Sequence, residues 1–135
     1  MLYFDMGEIL EIPSAEIINY LSNNKEAVLI DVRTKEEWET IGKPNGEELG
    51  MPTFFISYQI GKERVLNKEF DKEFSNLNIS PSKTILFICR SGIRSLHAAE
   101  VISRLGYETV NILGGFEGSA ASGDAGWKEN GLPCS

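Results

Sequence analysis

The strongest constraint on the fold lies in residues 84–95, which read TILFICRSGIRS. Residues 85–88 are a continuous apolar run, which is typical of a strand covered on both faces of a sheet. Gly92 then permits a backbone turn that other residues resist, and a helical pattern follows it. The sequence therefore predicts a buried strand that delivers Cys89 into a tight loop at the start of a helix.

Cys89 is the candidate nucleophile of this loop. The loop N–H groups, the positive end of the following helix and the charges of Arg90 and Arg94 all favour an anion at this point. A cysteine in such surroundings titrates at roughly 3.5 to 7.5, against about 8.5 for a free thiol. We therefore expect Cys89 to be largely thiolate at neutral pH. The alternative is a buried structural cysteine, but core packing has no use for a polar loop with two arginines.

Strand patterns alternate with helix patterns along the chain. Strands are predicted at residues 8–12, 27–32, 51–58, 84–88 and 109–113, and helices after Ser14, after Thr34, at 67–76 and at 93–105. This alternation predicts an α/β fold with a five-stranded, mostly parallel sheet and helices on both faces. Ligands of such sheets bind outside the carboxyl ends of the strands, which is where Asp31 and Cys89 are expected.

Local signals place the helix ends and faces. Ser14 is expected as an N-cap, and Thr34 with Glu37 forms a capping box for the second helix. On the helix at 93–105, apolar side chains recur at helical spacing and predict a buried stripe. Its members are Ile93, Leu96, Val101, Ile102 and Leu105.

Five segments in fixed order resemble the rhodanese family. They are LIDVRTKEEW at 29–38, CRSGIRS at 89–95, LGY at 105–107, NILGGFEG at 111–118 and GWKENGLP at 126–133. The resemblance covers nearly the whole chain and implies a single rhodanese-like domain over 1–135. Within it, residues 119–126 are expected as a mobile loop and residues 127–135 as a C-terminal tail. One departure is the segment at 41–44, where many rhodaneses have a Gly-His-Ile type sequence.

The resemblance implies a thiosulfate sulfurtransferase that needs no cofactor. Cys89 would take a sulfane sulfur from thiosulfate or a similar small anionic donor, hold it as a persulfide and pass it to cyanide or a thiol, including a protein thiol. The loop N–H groups would hold the persulfide, and Arg90 and Arg94 would position the donor. The implied active-site loop comprises Arg90, Ser91, Gly92, Ile93, Arg94 and Ser95, with Asp31 and Arg33 as supporting residues.

Two other functions remain open. Phosphatases and arsenate reductases of the same broad fold also use a cysteine followed by an arginine, but the related dual-specificity phosphatases have five residues between them. Here four residues separate Cys89 from Arg94, a shorter loop that suits a single sulfur atom. A non-catalytic rhodanese-like binding module is the second alternative, and the intact loop argues against it. His97 is expected on a solvated helix face, away from catalysis.

Composition narrows the partners. The 135-residue chain has 13 basic and 20 acidic residues, a net charge of −7, which repels nucleic acid and anionic membranes. The cysteine and histidine positions lack metal-ligand spacing. Residues 1–5 lack the basic region of a secretory signal, so the expected location is cytoplasmic. The second cysteine, Cys134, is expected to be a frayed and incidental thiol.

Overall fold

The computed structural model describes residues 9–135, and five of its strands form one parallel sheet. In chain order the strands are β1 (Leu10–Pro13), β2 (Ala27–Asp31), β3 (Thr53–Phe55), the short β4 (Gln59–Ile60) and β5 (Val65–Leu66), β6 (Thr84–Ile88) and β7 (Glu108–Leu113). The sheet order is β1-β7-β6-β2-β3, which confirms the predicted five-stranded α/β fold. Because β6 lies at the centre and pairs with β2 up to Ile88 and Asp31, the two strand ends meet at one edge, as expected.

Four α-helices pack on the two faces of the sheet. They are α1 (Ile17–Asn23), α2 (Lys35–Ile41), α3 (Phe70–Ser75) and α4 (Ile93–Ser103). Alternate residues of each central strand point to opposite faces, so Leu86 and Ile88 pack with Ile17 of α1. Phe87 and Cys89 pack on the other face with α3 and α4. Within residues 9–135, no helix has the length and apolar character needed to cross a membrane.

Helix α4 buries only part of the predicted apolar stripe, of which Ile102 is buried and Val101 packs against the core. Ile93 and Leu105 are exposed, and the buried face consists of Arg94, Ser95, Ala98, Ala99 and Ile102. The two alanines allow the helix axis to approach the sheet closely. The two polar residues turn inward because each has a polar partner there. Ser95 faces the Cys89 sulfur, and Arg94 faces the carboxylate of Glu37 in α2.

Several element boundaries differ from those expected. The first strand begins at Leu10, and Glu8 lies outside the described residues. The third strand is confined to Thr53–Phe55, and the β4–β5 hairpin that follows was not predicted. Ser14 does not cap α1 through its side chain, because a 3₁₀ turn intervenes and the Ser14 hydroxyl donates to the Gly115 carbonyl.

The C-terminal tail is held against the loop after α2, so the expectation of a frayed Cys134 is wrong. Ser135 and Lys43 exchange backbone hydrogen bonds of 2.8 and 3.1 Å, and the Asn45 N–H donates to the Pro133 carbonyl. Trp127 is fully buried and its indole N–H donates to the same carbonyl at 2.8 Å. The Cys134 side chain itself remains at the surface.

A glycine-rich turn that follows β7 forms backbone hydrogen bonds with the Cys89 loop. The N–H groups of Phe116 and Glu117 donate to the carbonyls of Cys89 and Arg90 at 2.8 and 2.9 Å. The approach is so close that a Cβ on Gly115 would overlap the Cys89 carbonyl oxygen and lie 2.6 Å from the Arg90 carbonyl carbon. Glycine at position 115 is therefore required by contact as well as by its φ of +56°.

We predict that Gly115→Ala lowers the free energy of unfolding by well over the roughly 1–2 kcal/mol that left-handed backbone costs a residue with a Cβ. Gly123→Ala is the matched control, because Gly123 also has a positive φ, of +78°, but nothing within 4 Å of its added Cβ. Urea denaturation of both variants measures the difference. Equal losses of stability would show that the close contact at Gly115 carries no extra cost.

Candidate active site

Cys89 lies directly after β6 with its sulfur turned toward the first turn of α4. The Gly92 N–H donates to Cys89 Sγ at 3.1 Å, and the Ser95 hydroxyl lies 3.2 Å from the same atom. Gly92 takes a φ of +114°, as the predicted turn requires. Cys89 is 1% exposed. The sulfur is thus enclosed by polar donors and lies at the carboxyl edge of the sheet.

Arg94 forms a two-point ion pair with Glu37 of α2. The two guanidinium nitrogens lie 2.8 and 3.0 Å from the two carboxylate oxygens, and both side chains are about nine-tenths buried. Glu37 thus balances the charge of Arg94 and accepts from two of its five N–H groups, and the expected role of Arg94 in positioning an anionic donor stays a prediction. The pair ties α2 to the loop, a paired geometry that arginine and carboxylate favour.

Glu37 serves two structural purposes at once. Its Oε1 accepts hydrogen bonds from the Thr34 N–H and hydroxyl, which confirms the predicted capping box. Burial by itself would raise the pKa of the Glu37 carboxyl. The hydrogen bonds from Arg94 and Thr34, with the charges of Arg94 and Arg64, outweigh burial and hold that pKa at about 2, against an ordinary 4.5.

Arg90 is the exposed cation of the loop. Its side chain is 62% exposed and its Nε lies 3.5 Å from a carboxylate oxygen of Glu117. It lines a cleft of about 420 Å³ whose charged residues are three cations, Arg90 with Lys62 and Arg64 of the β4–β5 hairpin, and three carboxylates, Glu36, Glu37 and Glu117. Arg64 lies 3.7 Å from Glu37. The hairpin thus brings cations to the loop that the sequence pattern did not indicate.

Asp31 and Arg33 form a fully buried ion pair at the end of β2. Arg33 Nη2 lies 2.9 Å from Asp31 Oδ2 and also donates to the Gly42 carbonyl at 2.7 Å. The guanidinium lies over the ring of Phe116 at 4.3 Å. Since the Phe116 N–H donates to the Cys89 carbonyl, Phe116 connects the ion pair to the loop backbone, and the supporting role expected for Asp31 and Arg33 stays a prediction.

The remaining predicted residues lie at different depths. Ser91 is half-buried and Ile93 is 63% exposed, so Ile93 supplies its backbone to the helix start. His97 lies on the exposed face of α4, 3.6 Å from Glu100, as predicted. In the described part of the chain, no three His, Cys, Asp or Glu side chains are grouped closely enough to hold a metal ion.

Two polar residues near Cys89 were missed as site residues. Glu37 was interpreted only as a capping residue, although the same carboxylate pairs with Arg94. Asn111, expected as an ordinary strand residue, is fully buried, and its Oδ1 lies 2.5 Å from the Ser95 hydroxyl oxygen. An amide between Val110 and Ile112 in an interior strand is the signal that could have indicated it.

The fold and the loop together define an α/β domain that presents a cysteine at the carboxyl end of a central parallel strand. A family model described as a rhodanese-like domain matches residues 14–122. The chain therefore belongs to the rhodanese-like domain family, as the sequence motifs indicated.

Individual relatives agree with this assignment. An uncharacterized protein of Rickettsia conorii is 40% identical over 127 residues, which cover 93% of this chain and 96% of that protein. A putative sulfurtransferase of Bacillus subtilis, YtwF, is 31% identical over 110 residues, or 80% and 87% of the two chains. The crystal structure of Rv0390 from M. tuberculosis superposes with a TM-score of 0.77 at 32% identity and covers 93% of this chain and 96% of that one.

We predict that Glu37→Gln lowers the free energy of unfolding by roughly 3 kcal/mol, because it leaves the guanidinium of Arg94 buried without its counter-charge. Glutamine can still accept the capping hydrogen bonds, so the loss reports the ion pair. Glu36→Gln, at an exposed position of the same helix turn, is the control. Urea denaturation at pH 7 compares them, and equal stabilities of the two variants would contradict a stabilising pair.

The lowered pKa of Glu37 also predicts an acid dependence. A carboxyl whose pKa is lower in the folded than in the unfolded state stabilises the fold above its ordinary pKa of 4.5 and loses that effect as the pH falls toward about 2. Wild-type stability should therefore decrease more steeply between pH 4.5 and 2 than that of Glu37→Gln. Parallel pH profiles would mean that Glu37 is not the titrating group.

Proposed function

We propose that the protein is a sulfurtransferase that carries a sulfane sulfur as a persulfide on Cys89. The observation that carries this proposal is the placement of Cys89 Sγ, which receives the Gly92 N–H at 3.1 Å with the Ser95 hydroxyl at 3.2 Å. Donors directed at a sulfur stabilise it as an anion. Membership of the rhodanese-like family and the name of the B. subtilis relative support the same reaction class.

The first half-reaction loads Cys89. The thiolate attacks the outer sulfur of thiosulfate, a sulfur–sulfur bond forms to Cys89, and the original sulfur–sulfur bond of thiosulfate breaks. Sulfite leaves with the electron pair of the broken bond, and Cys89 becomes an anionic persulfide. This is covalent catalysis in which one transfer is divided into two displacements.

The second half-reaction unloads Cys89. A nucleophilic acceptor attacks the outer sulfur of the persulfide, and the bond to Cys89 breaks with its electron pair returned to the thiolate. Cyanide leaves as thiocyanate, and a thiolate acceptor leaves as a new persulfide. The enzyme returns to its starting state with no external oxidant or reductant, so the cycle needs no cofactor.

Arg90 and Arg94 have different roles, of which only that of Arg90 involves the donor directly. Arg90, exposed beside the cleft, is in a position to attract the dianion, and its 3.5 Å contact with Glu117 is an exposed pair of the kind that costs little to break. Arg94 is held by Glu37 and shapes the loop. Four residues separate Cys89 from Arg94, and this short loop suits the single outer sulfur of a persulfide better than a tetrahedral phosphate held by the loop of a phosphatase.

We predict that Cys89→Ser abolishes sulfur transfer from thiosulfate to cyanide while the fold is retained, because an alcohol neither ionises near neutral pH nor forms a persulfide. Cys134→Ser is the matched control and should keep nearly full activity, since Cys134 lies at the surface on the C-terminal tail. Thiocyanate formation measures both variants. Turnover by folded Cys89→Ser would exclude the mechanism.

We predict that Arg90→Ala raises the KM for dianionic thiosulfate about fivefold more than the KM for a neutral sulfane donor, as expected for the loss of about 1 kcal/mol of charge attraction. Arg94→Ala should instead reduce activity with both donors by similar factors, because Arg94 supports the loop. Steady-state kinetics with both donors decide the matter. If Arg94→Ala instead lost activity with thiosulfate much more than with the neutral donor, Arg94 would be shown to recognise the charge of the donor.

A further inference from the structure

The Ser95 hydroxyl lies within hydrogen-bond distance of two atoms that can each accept its single hydrogen bond. Ser95 Oγ is 3.2 Å from Cys89 Sγ and 2.5 Å from Asn111 Oδ1. Ser95 and Asn111 are both fully buried. A serine has one O–H donor, so it can donate to the sulfur or to the amide oxygen but not to both.

The neighbours of Asn111 fix the direction in which its amide points. Asn111 Nδ2 donates to the Gly92 carbonyl at 3.0 Å and to Glu11 Oε2 at 2.7 Å. A carbonyl oxygen and an ionised carboxylate only accept, so the nitrogen must lie on that side and Oδ1 must face Ser95. Toward Asn111, Ser95 is therefore the donor.

The charge of Cys89 then decides where the hydroxyl points. While Cys89 is a thiol, its S–H can donate to a lone pair of Ser95 Oγ, and the Ser95 hydroxyl donates to Asn111 Oδ1. When the sulfur is an anion it has no proton to give, and the Ser95 hydroxyl can donate to it only by rotating away from Asn111 Oδ1. That rotation leaves the buried Asn111 Oδ1 without its donor, which is costly.

We propose that Asn111 is a positioning residue for Cys89. Asn111 Oδ1 accepts the hydrogen bond of the Ser95 hydroxyl while Cys89 is a thiol, and it loses that hydrogen bond to the sulfur when the sulfur is an anion. This inference rests on the proposed role of Cys89 as the reacting atom. It assigns a function to the buried amide of β7, which pairs with β6 at Phe87, two residues before the cysteine. Asn111 Oδ1 and the sulfur compete for the single hydrogen bond that the Ser95 hydroxyl can donate, and this competition sets how readily the Cys89 anion forms.

The test is the rate of Cys89 alkylation by iodoacetamide as a function of pH. Asn111→Leu removes the competing oxygen, so the midpoint of the rate profile should move to lower pH by about 0.5 to 1 unit, the equivalent of one hydrogen bond. In the Ser95→Ala background the same substitution should cause a much smaller shift, because no hydroxyl is left to redirect. Since Asn111→Leu frees the Gly92 carbonyl in both backgrounds, the difference between the two shifts isolates Ser95.

The matched control is Thr109→Val. Thr109 is also a buried polar residue of β7, and its hydroxyl donates to the Ala99 carbonyl of α4 at 3.0 Å, outside the Cys89 network. Its midpoint should stay at the wild-type value. The charged groups on the elements around the loop are the same in all these variants, namely Arg90, Arg94, Asp31, Arg33, Glu37 and Glu11.

A second measurement uses the unsubstituted protein. The side-chain amide resonances of Asn111 should shift with pH at the midpoint of Cys89 alkylation, and they should stay constant over that range in Cys89→Ser. Equal alkylation shifts in the wild-type and Ser95→Ala backgrounds, or wild-type Asn111 resonances that do not respond, would overturn the proposal. Alkylation requires no sulfur donor, so this result is independent of whether the protein transfers sulfur.

Discussion

The backbone hydrogen bonds between the glycine turn after β7 and the Cys89 loop are the constraint on which the site depends. A residue at the end of a strand is ordinarily free to leave the sheet in several directions. Here the carbonyls of Cys89 and Arg90 are both held by N–H groups of the turn, and Gly115 allows the two backbones to touch. With those two peptide units fixed, the sulfur and the Gly92 N–H face each other without further adjustment.

The arginines of the site differ in burial and in how closely each is paired with a carboxylate. Arg94 and Arg33 are buried and each has a carboxylate within 3 Å, Glu37 and Asp31 respectively. A buried arginine without its partner would be strongly destabilising, so these two cations are committed to the fold. Arg90 is exposed and its contact with Glu117 is long. We therefore propose that Arg90, whose pairing is weaker, discriminates among anionic donors.

Much of the fold could be predicted because short stretches of sequence are enough to indicate many of its strands and helices. The apolar run before Cys89 and the Thr34–Glu37 capping box are complete within a few residues, and both elements formed as expected. The two-residue strands of the β4–β5 hairpin are too short to show a period. The buried face of α4 is only partly predicted, because Arg94 turns inward to a carboxylate 57 positions away.

The same distinction applies to the site. Cys89 and its loop are contiguous in sequence, whereas Glu37, Asn111 and the hairpin cations reach the loop from other elements. Asn111 contacts Ser95 across 16 positions and Glu11 across 100. Such contacts are consequences of strand order, and strand order follows from the whole chain. The position of Cys89 and its loop in the fold could therefore be predicted from the sequence, but the residues that surround the loop could not.

The most direct test of persulfide chemistry at Cys89 is peptide mass spectrometry of the wild-type protein after incubation with thiosulfate. We expect a gain of one sulfur atom on the peptide that contains Cys89, and loss of that sulfur when cyanide is added. An unmodified Cys89, or an added sulfur confined to Cys134, would contradict the proposed mechanism.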